Sequence, residues 1–130
     1  MLDYATTRRK AGDDRGVTAV EFAIILPLLL MLIFGIIEFG RAYQARLTVT
    51  HAAREGVRVL AVTEDKVAAE AAALAAVTGL DTGAVTVTGT PCAAGLPAEM
   101  VVTYPVTIEI PGTGVHSFTL TGRAVMTCLD

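Results

Sequence analysis

The sequence predicts an α+β fold: one long N-terminal helix packed on a small three-stranded antiparallel sheet, with a second, short, alanine-rich helix between them. Three observations predict it. Apolar residues follow a helical pattern from Val17 to Val62, with no proline between Pro27 and Pro91 to end it. The spacing changes from helical to strict alternation after Gly83. A Pro111-Gly112-Thr113-Gly114 turn then divides the alternating part into two strands. A chain of 130 residues has room for one domain, or one domain and an anchor.

Composition narrows the function classes. Hydrophobic residues make up 53% and charged residues 18%, which excludes wholesale disorder. The net charge of −3, from 10 basic and 13 acidic residues, argues against a broad basic surface for nucleic acid. Aromatics are 5% with no Trp, so a base-stacking platform is poorly supplied.

Residues 1–16 are short and polar and carry seven of the 23 charged residues, as a disordered leader would. Phe22 to Ile37 then runs 16 residues without a charge, bounded by Glu21 and Glu38. With Val17 to Val20 the apolar stretch approaches the ~20 residues that a membrane-spanning helix needs. A removed signal peptide is the alternative. It needs a small-x-small cleavage site, and Glu38-Phe39-Gly40-Arg41 is a poor one. A buried core helix is the other alternative, and the remaining ~90 residues could hardly wrap such a helix on all sides. A retained membrane helix over 17–40 is therefore expected. Its orientation is nearly a tie on charge. Arg8, Arg9, Lys10 and Arg15 precede it and Arg41, Arg46, Arg54 and Arg58 follow, with a slight lean to a cytoplasmic N-terminus.

Beyond the span, over 41–62, the helix turns amphipathic. Arg41, Gln44, Thr48, His51, Glu55 and Arg58 form a polar stripe, and Ala42, Ala45, Val49, Ala52, Ala53, Gly56, Val57 and Leu60 fill the opposite face. From Val17 to Val62 the helix would be ~69 Å long at 1.5 Å per residue. Residues 63–130 make the small globular α+β domain. Thr63-Glu64-Asp65 offers a stop and a new N-cap, and Lys66 to Val77 reads as the short second helix. Ala84 to Thr88 reads as a short strand. Val102 to Ile110 alternates most clearly, with Pro105 placing it at an edge or a bulge. Phe118, Leu120, Gly122, Ala124, Met126 and Cys128 alternate along a third strand. The apolar face of this meander needs a cover, and the apolar face of the long helix is available.

Two residues ahead of the charge-free run carry chemistry. Gly16 has no side chain and can be gripped by a peptidase in extended form. Glu21 places a carboxylate at the edge of hydrocarbon, which costs a few kcal/mol unless paired. It is either the first interfacial residue or a group that pairs with the freed N-terminus of a neighbouring chain and sets the stagger between chains.

A basic leader, Gly16, and Glu21 at the fifth position after it together resemble the type IV prepilin signal. The longer string Gly-Val-Thr-Ala-Val-Glu-Phe-Ala-Ile-Ile-Leu-Pro-Leu-Leu-Leu, then Gly35, Glu38 and Gly40, then His51-Ala-Ala-Arg54-Glu55-Gly56-Val-Arg58, resembles TadE-like proteins. These are minor pilins or pseudopilins of the Tad (Flp-type) pilus. The resemblance is good over about residues 15–60 and loose elsewhere. It implies cleavage after Gly16 by a prepilin peptidase of the inner membrane, leaving Val17 as the new N-terminus, with Glu21 aiding assembly. The implied partners are that peptidase, other pilin or pseudopilin subunits, and membrane lipid. The implied place is the cytoplasmic membrane, single-pass, with the C-terminal domain exported and carried to the cell surface if a pilus assembles. A single-pass envelope protein that binds a ligand without polymerising is the alternative.

Pro27 lies inside the span and removes the bond to the carbonyl of Ala23, which predicts a kink or a loosened turn. Ala52 and Gly56 form a small-xxx-small pair that would admit close helix packing, although chance is the stronger explanation in so alanine-rich a chain. His51, His116, Cys92 and Cys128 show no metal-ligand spacing, and no phosphate loop or carboxylate pair stands out, so no metal, cofactor, small-molecule substrate or enzyme activity is expected. Cys128 falls on the inward face of the third strand and Cys92 in a Pro-bounded loop, so a Cys92–Cys128 disulfide is expected in an oxidising compartment, with two free thiols as the alternative.

Overall fold

The computed structural model describes the backbone of residues 13–93, 95–110, 112 and 114–128, and within these the side chains from Gly16 onward. Its elements in chain order are helix α1 (Asp13–Thr63), helix α2 (Lys66–Ala75), a 3-10 turn (Thr82–Ala84), and strands β1 (Thr86–Thr90), β2 (Ala98–Ile110) and β3 (Gly114–Met126). The α+β class read from the sequence holds. The chain divides into two compact units, one ending at Ile36 and the other beginning at Ile37.

In the first unit α1 runs through Pro27, and the side chains from Gly16 to Ile36 are exposed. This helix is long and apolar enough to cross a membrane. It starts at Asp13, four residues before the start that the apolar pattern predicts. Propensity explains the difference: the apolar pattern marks where packing begins, and Asp, Arg and Gly ahead of it need only follow an established helix.

The second unit is built on the apolar face of its own part of α1. Ala45, Val49, Ala52, Ala53, Val57 and Leu60 are buried, as the helical spacing requires, while Arg41, Gln44, His51 and Arg58 of the polar stripe are exposed. The helix stops at Thr63 because Glu64 takes the left-handed conformation, φ 54°. Asp65 then caps α2, its Oδ1 accepting from the backbone N–H groups of Val67 at 2.9 Å and Ala68 at 3.1 Å. Ala69 and Ala73 of α2 are fully buried in the same core. Alanine brings α2 close where larger residues would hold it off.

The sheet is antiparallel in the order β1-β2-β3. Val87 faces Val102, which faces Gly122; Gly89 faces Met100, which faces Ala124. Ala98, Met100 and Val102 alternate into the core with no exposed area. Glu70 of α2 ties the sheet edge, accepting from the N–H of Gly89 at 3.2 Å while pairing with Lys66 at 3.7 Å.

Three strand limits differ from the sequence pattern. β1 is displaced to Thr86–Thr90, because Asp81 caps the intervening 3-10 turn by accepting from the N–H of Gly83 at 2.9 Å. β2 begins at Ala98 rather than Val102, and β3 at Gly114 rather than Phe118. Pro105 was expected at an edge or a bulge, yet β2 is the central strand. The last β1 pair is Thr86↔Thr103, so Pro105 lies on the part of β2 that is paired with β3 alone. The missing N–H therefore costs no bond to β1.

Candidate functional site

The N-terminal segment comes first. Gly16, Val17 and Glu21 all lie on α1, and all are exposed. A Cβ on Gly16 would meet nothing within 4 Å, so the peptide bond after it is open to an approaching protein on that side. Because α1 begins at Asp13, that bond lies in helical backbone, and a peptidase that grips an extended chain has one to two turns to unwind there. Glu21 has no ion-pair partner among the described residues. A carboxylate on an apolar helix without a partner of its own is suited to one from another molecule.

In the second unit the charged groups form local pairs on the surface. Arg58 Nη2 donates to Glu55 Oε1 at 2.5 Å, and Arg41 Nη1 donates to Glu38 Oε1 at 3.5 Å. Arg123 on β3 grips Glu99 on β2 with two donors, Nε at 2.5 Å and Nη2 at 3.0 Å. The hydrogen bond from Arg58 holds the Glu55 carboxyl below its ordinary value. Slight burial opposes the shift, and the charges of Arg58 and His51 add to it. Among the described residues no three or more His, Cys, Asp and Glu side chains gather as a metal site would require.

One recess of this unit is an open groove of about 390 Å³. It runs between α1 at Arg41, Ala45 and Thr48, the segment after α2 at Leu80, and β2 at Tyr104 and Val106. It lies beside the stretch of β2 that β1 leaves uncovered.

Cys92 and Cys128 are joined, with Cα atoms 6.2 Å apart, within the range a disulfide spans without distortion. The bridge ties the β1–β2 loop to the end of the sheet. In that loop Leu96 N–H donates to Ala93 at 2.8 Å, and Gly95 supplies the positive φ of the turn.

The sequence pattern marks Gly56 as half of a small-xxx-small pair and Gly122 as part of the apolar face of the third strand, but not what either one meets. Gly122 lies against the backbone of Val49, and Gly56 against Ala73 and Met100. The available signal was a glycine at an inward position of a helix face and of a strand face.

These features define a class: an α+β chain whose N-terminal helix is apolar enough to span a bilayer, followed by a small, disulfide-bridged domain whose described residues hold no metal-type cluster. Residues 16–58 match the TadE-like protein family, and the match supports a TadE-like protein of the Tad pilus system. That family is structural rather than enzymatic, and a pilus-related minor pilin is the role it suggests. No curated protein and no solved structure matches the chain.

Proposed function

We propose that the chain is a pseudopilin or minor pilin of a Tad-type pilus or a related secretion apparatus, matured by prepilin peptidase after Gly16. One observation carries the reading: the family match begins at Gly16 itself and covers Glu21, the apolar run and the Ala-Ala-Arg-Glu-Gly-Val-Arg segment. The leader 1–16 stays on the cytoplasmic side, residues 17–40 span the inner membrane, and the domain from 41 onward is exported. Cleavage frees the amino group of Val17. The Glu21 carboxylate of a neighbouring subunit then neutralises it in a low-dielectric setting, where an unpaired charge is costly. Such a pair forms at only one stagger, so it sets the register between subunits. Pro27 supplies a loosened turn that lets helices repack on leaving the bilayer.

The test is N-terminal sequencing of the chain recovered from membrane and medium fractions. Val17 is expected. Met1 or Leu2 on a membrane-bound chain would instead indicate the non-polymerising envelope protein. An N-terminus beyond Ile37 in the medium would indicate a secreted domain.

A further inference from the structure

Exposed large apolar side chains occur at several places in the unit that begins at Ile37, Val67 and Leu96 among them, and two groups far apart in the chain lie close in the fold. One group opens its helix: Ile37, Phe39 and Tyr43, with Phe39 72% exposed. Another lies towards the closed end of the β2–β3 hairpin: Ile110, Val115 and Phe118, with Val115 66% exposed. These groups come from opposite ends of the unit's sequence, and the fold brings them to one end. A small recess lined by Glu38, Arg41, Thr107, Glu109 and Val115 places the hairpin against the first helical turns.

Element geometry explains why they meet. Gly122 packs on Val49, so the two elements share a level there. From Gly122 to Gly114 the strand advances ~26 Å at ~3.3 Å per residue. From Val49 back to Glu38 the helix advances only ~17 Å. A strand covers twice the distance of a helix per residue, so the hairpin reaches the level of Glu38 with chain to spare. Past the Thr86↔Thr103 pair it has only two strands, too few to bury their own apolar side chains.

We propose that this end of the unit is a lipid-seating surface. Phe39 and Tyr43 on α1 and Ile110, Val115 and Phe118 on the hairpin rest in the boundary between headgroups and acyl chains. The proposal rests on reading the apolar run as a membrane span. Lipid is the occupant because the patch continues the span: the charge-free run ends at Ile37 and Phe39 follows two residues later. The rings of Phe39 and Tyr43 stack with centroids 6.4 Å apart, and aromatic residues are favoured at that depth. The charged groups at the same level suit headgroups rather than hydrocarbon: Glu38 is paired with Arg41, and Glu109 lies beside them. Seated in this way, the domain is held down on the bilayer at two points, its helix and its hairpin. Extraction of the subunit must release both.

The chain has no Trp, so single Trp reporters can be placed in the full chain reconstituted in phosphatidylcholine–phosphatidylglycerol vesicles. Three variants are compared: Leu29→Trp in the apolar run, Val115→Trp on the hairpin, and Leu96→Trp in the β1–β2 loop. All three positions are exposed, so none disturbs the core. Leu96→Trp controls for the added apolar side chain itself. Expected are a blue-shifted Val115→Trp emission quenched most by lipids brominated near the headgroup, a Leu29→Trp emission quenched by lipids brominated deeper, and a Leu96→Trp emission untouched by either. Quenching at Leu29→Trp without quenching at Val115→Trp overturns the lipid seat and leaves the span standing. A blue shift at Val115→Trp that brominated lipid does not quench also overturns it, in favour of a second protein chain on the patch. Loss of quenching at Leu29→Trp overturns the span and the seat together.

Discussion

Gly122 of β3 lies directly on the backbone of Val49 in α1. A Cβ built on Gly122 would clash with the Val49 carbonyl and come within 2.7 Å of the Thr50 nitrogen. These are backbone atoms of a packed helix and cannot swing aside as a side chain would. Gly122→Ala is therefore expected to lower stability by about 3 kcal/mol or more, at the upper end of overpacking effects. The midpoint of urea unfolding for the full chain in detergent reads it. A Gly122→Ala variant with the wild-type midpoint would show that the sheet can lift off the helix freely.

Gly56 is the matching contact on the other side of the core. A Cβ there would lie 2.8 Å from the Cβ of Ala73 and 3.1 Å from two atoms of Met100. Met100 can adjust, but Ala73 belongs to α2, so the helix as a whole must move. Gly40, on the same helix, has nothing within 4 Å of its added Cβ. The two glycines should respond with opposite signs. Gly56→Ala destabilises, whereas Gly40→Ala gains up to about 1 kcal/mol of helix propensity. Paired urea titrations of the two variants check the sign.

This contrast shows where the sequence was legible. The helix face was readable because Val49, Ala53, Val57 and Leu60 repeat at helical spacing and are buried at that spacing. β2 was readable only from Val102 onward, where Val102 and Tyr104 open the alternation at the edge of the core. The first half of β3 was not. From Gly114 to Thr119 every residue is exposed, so burial imposes no alternation, and Gly112 and Gly114 read as turn. Ala98 and Met100 belong to the buried face, but they follow a Pro-bounded loop, which masked the strand's start. The roles of Gly56 and Gly122 depend on which element lies opposite, a tertiary fact that no local pattern carries. For the N-terminal segment, Gly16 and Glu21 were conspicuous by position, while their chemistry lies in partners outside the chain.

The Glu55–Arg58 pair predicts an acid response of known sign. Glu55 is held below its ordinary value of 4.5 in the folded chain. A lowered folded value means the unfolded state binds the proton more readily. The pair's contribution is then complete above the ordinary value and is lost as pH falls through the lowered one. Both side chains are largely in water, so the effect is small and salt screens it. Between about pH 5 and about pH 3 the urea midpoint should fall less in Glu55→Gln than in the wild type at low salt, with the difference closing at high salt. Equal slopes at low salt would remove Glu55 from the acid response.

The Cys92–Cys128 bridge should form in chain made in an oxidising compartment and should matter to a sheet this small. It closes a loop with a sequence separation of 36. In the chain-entropy model that stabilises by about 3–4 kcal/mol. The double substitution Cys92→Ser and Cys128→Ser should lower stability by about that amount. The β2–β3 ladder should persist in the double variant, since the bridge lies beyond Met126, its last paired residue. Non-reducing mass spectrometry of the purified chain reads the bridge directly. Two freely alkylatable thiols would sink the prediction, and with it the argument that the domain matures in an oxidising compartment.

The sharpest test concerns Gly16 and Glu21, because the two are expected to fail at different steps. Gly16 has open space where a Cβ would go, so Gly16→Leu does not disturb packing within the chain. Any loss of maturation then arises at the scissile bond itself, where the peptidase needs an unhindered backbone and where Leu also strengthens the helix that it has to unwind. Gly16→Leu should accumulate as the uncleaved chain, seen as a gel shift, and remain in the membrane. Glu21→Val removes a charge from the edge of the apolar run, which eases insertion rather than opposing it. It should be inserted and cleaved as the wild type is. What it loses is the carboxylate that pairs with the freed Val17 amino group of a neighbour, so surface pili should fall in a strain that lacks the wild-type copy. Glu21→Asp keeps the charge but shortens the reach, and Glu21→Gln keeps the size but loses the charge. If register depends on the ion pair, Glu21→Gln should behave as Glu21→Val does, with Glu21→Asp intermediate. Normal pili in the Glu21→Val strain would leave Glu21 as no more than the residue where the membrane begins.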